Sequence, residues 1–242
     1  VGAGQTTTVL LTAELLASLR DDPVAVLDLN PGDGSLAERA RSVPALTGSG
    51  QATPSRAEVI TRAALGPGAD QDITRVFELL SARYPLTLAD PGAAAVPRVL
   101  MAADLLVLVA PASQDAASAL ATTREWLEAH GHAELADGAI TVLNGVSRHT
   151  IAHVEQAEAL ARGRCRAIVR IPWDDHLRNP GPERSLSSAR PALVASPSSG
   201  PARNRAAAGP LSPVAVDAYT ALAGVVVAAL ATASEPAQGV RR

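Results

Sequence analysis

The sequence predicts an α/β fold built on a doubly wound parallel sheet, and three observations carry that reading. Short apolar runs alternate with helix-patterned segments along most of the chain, the signature of strands joined by helical crossovers. Several of those runs end on polar residues: Asp28, Asp90, Asn144 and the stretch Pro172-Trp173-Asp174-Asp175. Gly2-Ala3-Gly4-Gln5-Thr6-Thr7-Thr8 has the pattern of a phosphate-binding loop opening a helix, except at Gln5. Such alternation implies right-handed crossovers and a sheet covered by helices on both faces.

Thr6 to Arg20 carries Val9, Leu10, Ala13, Leu16 and Leu19 at helical spacing, and Val24 to Leu29 is a continuous apolar run suited to a buried parallel strand. Helical patterns follow at Ser55 to Leu65 and at Asp72 to Arg83, separated by the Gly66-Pro67-Gly68 break. Leu86 to Ala89 reads as a strand ending at Asp90, Ala93 to Ala103 as a helix of small residues, Leu105 to Val109 as a strand, and Ser113 to His130 as an amphipathic helix. Ala139 to Leu143 is a strand ending at Asn144, Ile151 to Arg162 a helix, and Ala167 to Ile171 a strand ending at Pro172. From Arg190 to Pro213 the composition turns to Pro, Ser, Ala, Gly and Arg without an apolar period, which reads as a flexible surface insertion. Val214 to Thr232 places Tyr219, Leu222, Val226 and Leu230 on one stripe. It has the length of a membrane span, but Asp217, two threonines and the dominance of alanine favour a packed terminal helix. The expected organisation is one domain over 1–189 and 214–233, with the insertion at 190–213 and a tail at 234–242.

The 242 residues suffice for one large core. A net charge of -3 and a pI near 6.0 give no global attraction to nucleic acid or anionic membrane. The lone Cys165 excludes a disulfide framework and any zinc or iron–sulfur site built on several cysteines. A reducing cytoplasm fits, and no secretory signal pattern is read at the N-terminus. His149 and His153 have the i, i+4 spacing of a metal pair, but no glutamate follows His149, and the histidines read as solvated. Arg162, Arg164, Arg166 and Arg170 read as a solvated rim.

In a phosphate loop, small residues let backbone N–H groups close on phosphate oxygens, a lysine neutralises charge, and the next hydroxyl ligates Mg²⁺. Gln5 keeps donors and supplies no charge, and all 21 basic residues of the chain are arginine. Ligands of open parallel sheets bind beyond the carboxyl ends of the strands. Either Asp28 or Asp90 can therefore hold Mg²⁺ together with Thr6. A phosphate loop ordinarily follows a buried strand, so the expectation is a chain that starts in mid-motif, as a fragment or from an internal GTG codon, with the first strand of its sheet missing.

Together, in this order, these residues resemble the MinD/ParA family of deviant P-loop (SIMIBI) ATPases, whose loop reads Lys-Gly-Gly-x-Gly-Lys-Thr-Thr. Gly2, Gly4, Thr6 and Thr7 match the loop, with Ala3 and Gln5 between them. Asp28 matches the first switch carboxylate and Asp90 the acidic residue of the second sensing segment. Asn144 matches the asparagine that reads the adenine edge, and Ile171-Pro172-Trp173-Asp174 the element beside the base, which brings in Pro172 and Asp174. Narrower likeness to MinD-like proteins of high-GC bacteria, some encoded with type VII secretion systems, lies in Asp28-Leu29-Asn30-Pro31, Trp126 to Gly131 and Arg164-Cys165-Arg166-Ala167.

The resemblance implies binding of ATP or ADP with Mg²⁺, a nucleotide-dependent homodimer, and an unidentified protein partner. It also implies a role in protein localisation, cell division or secretion assembly, in the cytoplasm or at the membrane periphery through that partner. The signature lysine would fall before Val1, Gln5 replaces the loop lysine, and Asn30 stands where the family places the water-orienting carboxylate. These departures imply weak or absent hydrolysis. Two alternatives stay open: an active Mg-ATPase in which arginine replaces the lost lysines, and a nucleotide-free interaction scaffold.

Overall fold

The computed structural model describes residues 2–20, 22–30, 36–40, 57–65, 72–178 and 211–234. Residues 190–210 of the expected insertion and 235–242 of the expected tail lie outside them. The protein is α/β, with two three-stranded parallel sheets among the described residues.

The first sheet has the order β2-β1-β3, where β1 is Val24–Leu29, β2 Ala57–Thr61 and β3 Leu86–Pro91. All six residues of β1 are buried. Val24 and Val26 face a cluster with helix α1 (Gln5–Leu19), while Ala25, Leu27 and Leu29 face one with Ile73, Val76 and Leu80 of α3 (Ile73–Ser81). An unbroken apolar run is thus what a strand covered on both faces requires. Leu36 of the short helix α2 (Leu36–Ala40) is fully buried in the α1 cluster, and α4 (Val96–Leu100) adds Val99 to the α3 side.

The second sheet has the order β4-β5-β6, where β4 is Val107–Pro111, β5 Ile140–Val146 and β6 Ala167–Pro172. Helices α5 (Ala116–Ala129) and α7 (Ile151–Ala161) cover one face through Ala116, Ala117, Val154 and Ala157. A short helix, α6 (Ala133–Asp137), packs Ala136 against Leu127, and α8 (Asp175–Arg178) follows β6. The terminal helix α9 (Pro213–Ser234) lays Tyr219, Leu222, Ala223 and Val226 into the same cluster as α1, β1, β5 and β6. By length and composition α9 could cross a bilayer, yet this stripe of it is core.

Three expectations are corrected. Ser55 to Leu65 was expected as a helix; its described part is the strand β2 followed by a 3₁₀ turn, Arg62–Leu65. Val59, Ile60 and Thr61 are β-branched, and ladder pairing with Val26, Leu27 and Asp28 outweighs the short helical period. The 211–213 end of the expected insertion belongs to the fold: Leu211 is buried and Pro213 opens α9. The small-residue helix expected at Ala93 to Ala103 is confined to Val96–Leu100.

Burial separates the strands further. Every residue of β1, and Ile140 to Leu143 of β5, is buried, whereas Leu86 to Ala89 of β3 and Val107 to Val109 of β4 are only half-buried on both alternating faces. The outer edges carry charges, Glu58 on β2 and Arg170 on β6, each in an ion pair. Leu86 to Ala89 and Val107 to Ala110 carry none, although charge is the usual protection of an open edge. In hydrogen exchange, the amides of β1 and β5 are expected to be the slowest, and alternate amides of β3 and β4 distinctly faster despite their apolar surroundings. Equal protection of all four strands would contradict this reading of their edges.

Candidate functional site

Parallel register puts the polar residues at one edge. Thr61, Asp28 and Asp90 are partners across β2, β1 and β3, and Pro111, Asn144 and Ile171 across β4, β5 and β6. The glycine loop lies over this edge and touches both sheets. Gln5 donates from Nε2 to Asp90 Oδ1 at 2.6 Å and to the Pro91 carbonyl at 3.3 Å, and Thr6 Oγ1 donates to Asp90 Oδ2 at 2.6 Å. From the other sheet, Asn144 Nδ2 donates to the Ala3 carbonyl at 2.9 Å.

The glycines are needed for this geometry. Gly2 and Gly4 take φ of 91° and 86°, the left-handed region that side chains disfavour. A Cβ on Gly4 would also lie 2.0 Å from Asn144 Nδ2. Gly4 caps α1 without a side-chain hydrogen bond, so no side chain of that residue covers the first-turn N–H groups. At the facing end of β5, Gly145 has φ 80° beside a register shift, and the Trp173 ring packs over it.

Asp90 is fully buried, and burial pushes its carboxyl above the ordinary carboxylate range against the hydrogen bonds from Thr6 and Gln5. Asp28 raises it further, while Arg39 pulls it down. Asp28 is itself buried and accepts from the Asn30 backbone N–H at 3.2 Å. Two carboxylates and the Thr6 hydroxyl form a hard-oxygen set of the kind Mg²⁺ takes. The structure thus brings Gly2, Ala3, Gly4, Gln5, Thr6, Asp28, Asp90 and Asn144 together. The Thr7 side chain turns into the protein, where its hydroxyl meets Arg39 Nη1 at 3.4 Å. Asn30 is exposed, with its amide oxygen beside Gly92.

Asp174 stands apart from this group. Its oxygens accept from the backbone N–H of Ser212 at 2.8 Å and of His176 at 2.9 Å, and its Oδ1 lies 3.2 Å from the His176 ring. Burial raises the carboxyl, but these hydrogen bonds outweigh it and hold Asp174 below the usual range. It clasps the end of β6 to the start of α9, with Pro172 half-buried before it. Arg39 and the contacts of this clasp were not singled out from the sequence; the lack of lysine was the signal pointing to an arginine near the loop. A cavity of about 40 Å³ lined by Leu108, Leu120, Thr141, Leu160 and Cys165 lies under α5 and α7. It is too small for a ligand of nucleotide size.

No family profile matches the chain. It is similar to the ESX-1 secretion-associated protein EspI of Mycobacterium tuberculosis, in strains CDC 1551 / Oshkosh and ATCC 25618 / H37Rv, at 28% identity over 209 residues. The match takes in 73% of this chain and 31% of the relatives, so the chain spans about a third of the curated relatives' length. What the comparison supports is a distant link to a secretion-associated protein.

The two buried carboxylates should respond oppositely to pH. Asp90 has a raised folded pKa, so its ionisation lowers stability as pH climbs from its ordinary 3.8 through the folded value. Asp90→Asn, whose amide keeps acceptor and donor for Gln5 and Thr6, should be more stable than the parent at neutral pH, with the gain vanishing in acid. Asp174 has a lowered pKa, so its contribution is present above 3.8 and lost as pH falls through the folded value. Asp174→Asn should be less stable at neutral pH, and the deficit should close in acid. Melting temperatures across pH test both, and curves parallel to the parent's for either variant would contradict the assignment.

Proposed function

We propose that the protein is a nucleotide-binding regulator of the MinD/ParA type, taking ATP or ADP with Mg²⁺, hydrolysing it weakly or not at all, and serving protein localisation or secretion assembly. The observation that carries this reading is the loop of residues 2–6, held at Gln5 and Thr6 by Asp90 and at Ala3 by Asn144. Two left-handed glycines there open a 15-residue helix whose N-cap offers no side-chain hydrogen bond. Backbone N–H groups converging at a helix N-terminus, beside hard-oxygen ligands, suit a polyphosphate with its metal. Thr6, Asp28 and Asp90 would hold Mg²⁺, which would supply charge neutralisation between phosphate oxygens.

The finer fold reading belongs to the same proposal. In a P-loop sheet of this type, one further parallel strand running into Gly2 would lie between β3 and β4. The uncharged, half-buried edges of those strands support it. The regulatory role rests on the family resemblance and on the secretion-associated relative, and a homodimer and a protein partner are part of what is proposed. A second reading, a nucleotide-free scaffold, draws on the same hydrogen bonds: Gln5 and Thr6 are satisfied by Asp90, and Asn144 by the Ala3 carbonyl, all within the chain.

Calorimetric titration of ADP and ATP with Mg²⁺ decides between the two. Binding is expected, and Gln5→Lys should tighten it about tenfold or more, because a charged donor on phosphate is worth roughly 1.5–3 kcal/mol. Phosphate release by the parent protein should stay near background. Equal affinities would remove Gln5 from the phosphates, and absence of binding by both proteins would leave the scaffold.

A further inference from the structure

We propose that Arg39 is the cation of this site, turning its guanidinium onto the phosphates of the bound nucleotide in place of the absent lysine. The inference rests on the nucleotide reading above and adds a residue to it. A phosphate loop without a positive charge leaves its ligand's charge opposed only by backbone dipoles and metal. Gln5 does not fill that role, since its amide donor is directed to Asp90 and Pro91. No lysine exists anywhere in the chain.

Most other arginines with described contacts are engaged elsewhere. Arg20 pairs with Asp22, Arg83 with Glu58, Arg124 with Asp137 and Glu128, and Arg170 with Glu158, while Arg166 donates to Thr232. Arg39 is placed differently. It lies three residues after Leu36, so the two share a side of α2, and Leu36 is fully buried against α1. That anchor aims Arg39 at the first turn of α1, where Nη1 meets the Thr7 hydroxyl at 3.4 Å.

The contact with Thr7 is long for a hydrogen bond and its acceptor is neutral, so it positions the guanidinium without neutralising it. An anion at residues 2–6 would offer the guanidinium a stronger, charge-assisted partner than this hydroxyl. Arginine suits the task because its planar fork can donate two N–H groups to one phosphate, which an ammonium cannot do.

Titrations of ADP, inorganic pyrophosphate and adenosine onto the parent chain, Arg39→Lys and Arg39→Ala test the proposal, with melting temperatures recorded alongside. Arg39→Ala should bind ADP and pyrophosphate about tenfold or more weakly. Adenosine affinity should be unchanged, and Arg39→Lys should recover part of the loss. Unchanged ADP and pyrophosphate affinity in a folded Arg39→Ala would overturn the assignment while leaving the nucleotide reading intact. A loss that is equal for adenosine, or that tracks a lowered melting temperature in both variants, would also overturn it in favour of a structural contact with α1. Failure of the parent chain to bind any of the three ligands would instead remove the nucleotide reading, and this inference with it.

Discussion

At the end of β3, both carboxylate oxygens of Asp90 are occupied, one by the Gln5 amide and the other by the Thr6 hydroxyl. This contact fixes the first turn of α1 against the first sheet and so determines where the glycine loop sits, while Asn144 completes the seating from the second sheet. Because position 5 is an amide rather than an ammonium, the buried carboxylate receives hydrogen bonds but no full charge from it. Burial raises its pKa, and those hydrogen bonds offset that only in part. A lysine at position 5 would have offered Asp90 a neutralising partner. With glutamine there, the positive charge that lowers the Asp90 pKa is that of Arg39.

The core explains why the edge beneath the loop is so precisely placed. Helices α1 and α9 share one apolar cluster with β1, β5 and β6, and Leu86, Leu88, Val107 and Val109 pack against it from β3 and β4. The two sheets are therefore tied through a common helical layer, although no ladder joins them among the described residues. Asp174 adds a polar tie at the far side by capping the start of α9.

Much of this was legible in the sequence because buried parallel strands leave continuous apolar runs: Val24 to Leu29 was read with its final bounds, and Asp28, Asp90 and Asn144 fall at strand ends as expected. Ser55 to Leu65 was misread because a five-residue edge strand has too little length for periodicity to separate strand from helix. Which arginine lies beside the loop, and the contacts of the Asp174 clasp, could not be read. Each depends on contacts between segments distant in sequence, 32 residues for Arg39 with Thr7 and 38 for Asp174 with Ser212. Spacing along one chain segment carries no trace of such pairs.

What joins these observations is the claim that residues 2–6 form an anion-binding mouth at the carboxyl edge of the strands, and amide NMR of the chain titrated with ADP and Mg²⁺ tests it most directly. The expected result is that the largest shifts fall on the backbone amides of Gly2 to Thr6, with smaller ones at Asp28, Asp90 and Asn144. Shifts confined to other surfaces, or none at saturating ligand, would contradict it.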